Sequence, residues 1–307
     1  MNQKYTKAVL LWLGCTAFTI VLIIIVGGLT RLTHSGLSMV EWKPVTGILP
    51  PFTTVAWHDA FELYKKFPEF KQVNFSMTLI DFKYIYYWEY THRLLGRLVG
   101  CIYLLPFMYF TKKSVFGTSL KIRMIGVGVL GACQGVLGWY MVKSGLVNIP
   151  SVSHLRLASH LSLAVFLLMY ILWLMMDIAG SRHVPVMQRA RKSLGSFVLV
   201  FLIALQIIYG AFVSGLRAGF LYNTFPLMGG ELIRSGVLSG SGFLLDLVFN
   251  PIMVQFIHRC LGCLIFIYVG ILWIKRIRFS GFYTQKKAVN LLAFIAVCQV
   301  LLGIVTL

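Results

Sequence analysis

Seven apolar runs, each long enough to cross a bilayer, follow one another at about 8–28, 84–110, 124–143, 155–178, 194–214, 252–275 and 288–307. Hydrocarbon offers no water to backbone N–H and C=O groups, so runs of this length have one solution, the α-helix. The chain is 58% hydrophobic and 12% charged, which excludes an ordinary soluble domain and gives an all-α polytopic membrane protein. A net charge of +19 would by itself suggest nucleic acid, but the placement of the charges excludes that partner. Lysine and arginine gather at Lys4 and Lys7, at Lys112 to Arg123, at Arg182 to Lys192 and at Lys275 to Lys287. Segment 29–83 instead mixes six basic with five acidic residues, and 215–251 is balanced. The positive-inside rule therefore puts the N-terminus in the cytoplasm and both long loops outside. No cleavable signal peptide or Arg/Ser-rich transit peptide is read at the start, so a bacterial or organelle-encoded chain is expected.

The outer segment 29–83 is punctuated by Gly36, Pro44, Gly47, Pro50 and Pro51, and then carries an amphipathic stretch, Thr54 to Phe67, expected to lie on the membrane surface. His34, His58 and His183 read as solvated loop histidines. The six cysteines all fall within apolar runs, where they read as small apolar filler; Cys260 and Cys263 form a CxxC without the following His of a covalent heme site.

Ionisable groups inside the runs are a different matter. They cost several kcal/mol in hydrocarbon unless paired or ligated. The run starting at Tyr84 carries Glu89, His92, Arg93 and Arg97 in its first third. Glu89 and His92 share a helix face, and Gly96 one turn on reads as a shelf leaving room for a flat ligand. His92-Arg93-x-x-Gly96 recurs as His258-Arg259-x-x-Gly262, and Cys133-Gln134-x-x-x-Gly138 recurs as Cys298-Gln299-x-x-x-Gly303. A glycine-bearing helix end at Gly27 has a looser counterpart at Gly210. Two pseudo-repeated four-helix bundles are expected, over 1–180 and 181–307. By the offset, the equivalent of His160 would fall near residue 325, so the second unit is expected to lack its last helix.

The topology places His92, His160 and His258 on helices entering from the outer face, each roughly 8–13 Å deep at about 1.5 Å per residue. Histidines at one depth suit axial heme ligation. The plainer reading, helix–helix hydrogen bonding, weighs against it. His154, at a loop boundary, reads as interfacial, which leaves His160 as the second ligand of the first site. Arg93 and Arg259 suit heme propionates, with an Arg93–Glu89 pair as the plainer alternative. Glu89 corresponds to Gln255 in the second unit, and only the carboxylate can titrate, so chemistry is expected in the first unit.

The stretches GGLTRLTHSGLSMVEWKPVTGILPP, AFELYKKFPEF, WEYTHRLLGRLVG, GWYMVKSGL, SHLRLASH and NTFPLMGG resemble heme A synthase, more narrowly its alphaproteobacterial and mitochondrial type. The resemblance implies two four-helix bundles and oxidation of the C8 methyl of heme O to the formyl of heme A, for cytochrome oxidase assembly. It implies that Glu89, His92 and His160 belong to the heme O site and that His258 holds heme B. Heme O synthase as supplier, an electron donor, membrane lipid and a homo-oligomer are the implied partners, in a bacterial inner or mitochondrial inner membrane. The outer-loop cysteine pair of the Gram-positive type is missing, which argues against thiol-based electron input. The rival readings are a diheme electron-transfer protein exchanging electrons with quinone, and a transporter.

A single cysteine introduced within 54–67 of a cysteine-free variant is expected to react with an impermeant maleimide added outside; reaction only after permeabilisation would reverse the topology.

Overall fold

The computed structural model describes residues 3–43, 46–180, 194–240, 242–278 and 283–307. It is helical, with no strand among the described residues. His183 and the basic residues Arg182, Arg189, Arg191 and Lys192 lie outside them. Seven helices are long and apolar enough to cross a membrane: α1 (Thr6–Leu32), α4 (Leu79–Lys112), α5 (Thr118–Gly145), α6 (His154–Gly180), α7 (Leu194–Gly215), α9 (Pro251–Arg278) and α10 (Tyr283–Val305). Three shorter ones lie between them, α2 (Thr54–Lys65), α3 (Pro68–Gln72) and α8 (Phe243–Phe249). The seven long helices match the seven apolar runs. The chain divides into two compact units, Met1–Gln188 and Arg189–Leu307.

In the first unit α1 packs against α4 and α6, and α5 against α6 and α4. Where α4 and α1 meet, one break in the backbone ladder is repaired by a side chain. Pro106 stands inside α4 and has no N–H, so the Ile102 carbonyl four residues earlier loses its helical donor. The Trp12 indole N–H of α1 donates to that carbonyl at 2.9 Å. Its ring stacks on Tyr103 and packs against Phe110 and Phe116. The hydroxyls of α1 are also absorbed locally: Thr16, Thr19 and Thr30 donate to the carbonyls of Trp12, Cys15 and Val26.

Above this bundle, α4 begins five residues earlier than the apolar run, where Thr78 and Asp81 form a capping box. The added turns present Phe82, Ile85 and Tyr86 as a landing surface. The amphipathic stretch does fold as a helix, α2, but Trp57, Phe61 and Tyr64 turn onto those residues of α4. The apolar partner of these three side chains is α4. Tyr64 is fully buried, donates to Glu69 and accepts from Asn74. Burial beside Glu69 pushes its phenol well above the usual range, so it stays neutral.

In the second unit α9 packs on α7, α8 and α10. Asn250 joins α8 to α9: its Oδ1 accepts from Ile252 N at 2.9 Å and its Nδ2 donates to Gly236 O at 2.8 Å. Asp246 accepts from Ser239 N and Oγ, which hold its carboxyl below the usual range.

Trp12→Phe is expected to leave the Ile102 carbonyl unbonded and to cost about 1–3 kcal/mol, read as a lower melting temperature in detergent. Adding Pro106→Ala restores an N–H to the ladder and is expected to recover most of the loss; no recovery would mean that Trp12 acts through ring packing alone.

Candidate functional site

The charged residues of α4 and α9 form matching ties to the segments that follow the first long helix of each unit. Glu89, 3% exposed, accepts from Ser38 Oγ at 2.8 Å and Met39 N at 2.6 Å on one oxygen, and from Arg93 at 2.5 Å on the other. Arg93 also donates to the carbonyls of Met39 at 2.6 Å and Glu41 at 2.8 Å. Arg97 continues the row with a bond to Lys43 O at 2.9 Å. In the second unit Gln255, 2% exposed, donates to Tyr222 O at 2.8 Å. Arg259 donates to Tyr222 O and Thr224 O, each at 2.6 Å. Arg93 and Arg259 thus do the same job on two loops. The plainer of the two alternatives for Arg93, the ion pair with Glu89, is present, and Arg259 Nε remains buried without a partner.

Glu89 meets three donors, which carboxyl oxygens suit. Gln255 meets the Tyr222 carbonyl, which an amide N–H₂ suits. The Glu/Gln difference therefore follows the polarity of the loop each residue holds: donors at Ser38 and Met39 in one, an acceptor at Tyr222 in the other.

Below these ties lie the histidines. His92 of α4 and His160 of α6 lie near one another in the first unit. Each of His92, His160 and His258 has a buried Nδ1 without a hydrogen-bond partner. The glycine shelf read at Gly96 is not what the rings rest on: a Cβ there would meet Ile23, and one at Gly262 would meet Gln206. Helical Cα–Cβ bonds lean toward the N-terminus, so His92 covers the turn before itself, not the turn of Gly96. The rings rest on glycines of neighbouring helices. His92 lies on Gly27 of α1, His160 on Gly138 of α5 and His258 on Gly210 of α7. Gln134 Nε2 donates to His160 O at 2.9 Å, and Gln206 Nε2 lies 3.4 Å from His258 Nε2.

The arrangement fits a heme. Imidazoles whose Nδ1 is buried without a partner, each seated on a glycine of a neighbouring helix, suit a flat group whose iron takes axial nitrogen. Among the described residues no three His, Cys, Asp or Glu side chains gather as a cage for a bare ion. His154 is buried at the start of α6, not exposed at the interface, while His34 and His58 are exposed. Sequence reasoning missed Ser38, Met39 and the glycines under the rings. Gly27, Gly138 and Gly210 had been seen only as repeat markers; the signal that links the last two is a glutamine four residues ahead of each.

Residues 10–307 match the family described as "Cytochrome oxidase assembly protein". The chain is 42% identical over 308 residues to a heme A synthase of Rhodopseudomonas palustris, covering 100% of this chain and 84% of that protein. It is 40% identical over 306 residues to one from Rhizobium etli, covering 100% and 83%. It is 38% identical over 314 residues to one from Flavobacterium johnsoniae, covering 99% and 90%. No solved structure matches the chain. Similarity that runs the length of the chain, through both histidine-bearing units, leaves one conclusion: the chain belongs to the cytochrome oxidase assembly protein family.

Proposed function

We propose that this protein is a heme A synthase, an oxidoreductase that converts the C8 methyl of heme O to the formyl of heme A. The observation that carries the reading is the pair His92 and His160, each with a buried Nδ1 that has no partner, in a chain similar over its whole length to proteins of that name. Two successive hydroxylations, each consuming one dioxygen, two electrons and two protons and releasing one water, take the methyl to a hydrate, which loses water to give the formyl. When bound, heme O would supply the methyl; the dioxygen and the electrons come from outside this chain.

The residues divide this work. His92 and His160 hold the substrate's iron and so fix the position of the porphyrin edge in the first unit. His258 holds heme B in the second. Arg93 and Arg259 each keep donors beyond those used on the loops, and these bind propionates at the outer end of the sites. Glu89 acts on the reacting edge from a fixed place, since Ser38, Met39 and Arg93 hold its carboxylate in one orientation. The protein sits in a bacterial inner membrane with its N-terminus in the cytoplasm and receives heme O from heme O synthase.

His92→Leu is expected to abolish heme binding in the first unit, measured as heme extracted per purified chain; unchanged heme content would remove His92 from the ligand set. Glu89→Gln is expected to lower heme A yield by about 10²–10⁴-fold, with heme O or the hydroxymethyl form accumulating. Glutamine also turns a donor toward donors here, so hydrogen exchange of residues 38–43 separates two causes. Loss of heme A with unchanged exchange assigns Glu89 to the chemistry, and parallel loss of both assigns it to holding the loop.

A further inference from the structure

We propose that Gly27, Gly138 and Gly210 are positioning sites that fix the rotation of His92, His160 and His258. This rests on reading those histidines as heme ligands. The same relation occurs on three separate helix pairs: α4 on α1, α6 on α5 and α9 on α7. A Cβ at Gly27 would stand 2.8 Å from His92 Cε1, at Gly138 3.1 Å from His160 Cε1, and at Gly210 3.2 Å from His258 Cε1. The first contact is closer than real Cβ atoms come, and the other two are tighter than nearly all of them. Other glycines of the same helices, Gly28 and Gly131, face open space.

The reason is steric. Without a Cβ at the glycine, the imidazole edge closes onto the neighbouring helix: Cε1 and Nδ1 of His92 at Gly27, Cε1 and Nε2 of His160 at Gly138, and Cε1 and Nδ1 of His258 at Gly210. A ring seated on backbone in this way is held in one rotation, which fixes the direction of its nitrogens. In a helix interior alanine is the more stable residue, so glycine at these positions works against the helix's own preference.

The probe is hemin, titrated into the purified full chain and followed by Soret absorbance and low-temperature electron paramagnetic resonance. Gly27→Ala and Gly138→Ala are expected to weaken hemin binding about 10- to 100-fold and to shift the low-spin g values of what remains. Gly28→Ala and Gly131→Ala are expected to match the unsubstituted protein. If Gly27→Ala and Gly138→Ala match these controls while His92→Ala loses hemin, the positioning role is wrong and the ligand reading stands. If His92→Ala binds hemin unchanged, the ligand reading falls and the positioning role with it. Should Gly27→Ala fail to fold, the double variant Gly27→Ala, His92→Ala removes the clash and is expected to recover helicity. A double variant that also fails places the need for glycine elsewhere and overturns the proposal.

Discussion

Hydrocarbon has no water to take up a polar group left over from folding, and that constraint shapes every contact described above. Pro106 opens the α4 ladder at Ile102, and Trp12 closes it from α1. Threonine hydroxyls along α1 return to the preceding turn. Arg93, in the first half of α4, is held by an ion pair to Glu89 and by two loop carbonyls. Against this background, a buried polar atom with no partner stands out. The Nδ1 atoms of His92, His160 and His258 and the amide oxygens of Gln134 and Gln206 are among such atoms.

The two layers of the site have different physics. The outer layer is ionic and loop-facing: an arginine on each of α4 and α9 ties down the segment after the preceding long helix, and a neighbour one turn earlier matches the polarity of that segment. Such a tie fixes where the loop sits over the helix ends. The inner layer is steric: an imidazole fits only where the facing helix has no Cβ. Loss of charge would loosen the first, and addition of one methyl would displace the second, so substitutions in the two layers have separable signatures.

Much was legible beforehand because the physics behind it is local. Apolar length alone specifies a spanning helix, so all seven long helices and α2 were readable from the residues. The repeated His-Arg-x-x-Gly marked α4 and α9 as the chemically loaded helices, and six stretches of the chain carried the family resemblance. Which glycine a ring rests on was not legible, because the backward lean of the side chain and the packing of a second helix decide what a ring covers. What α2 packs on was less legible, because the surface it meets begins at Phe82, before the apolar run that marked α4, and continues to Tyr86 within it.

What the sequence by itself determined is the membrane class, the helix count, the pairing of Glu89 with Gln255 and the histidines worth attention. Each of these depends on composition or spacing within one segment. Only the tertiary structure decided that Glu89 meets donors and Gln255 meets an acceptor. It alone put His92 beside His160, and set each ring on the glycine of a neighbour. Those are relations between helices, and spacing along one helix carries no record of which residue of another helix will face it.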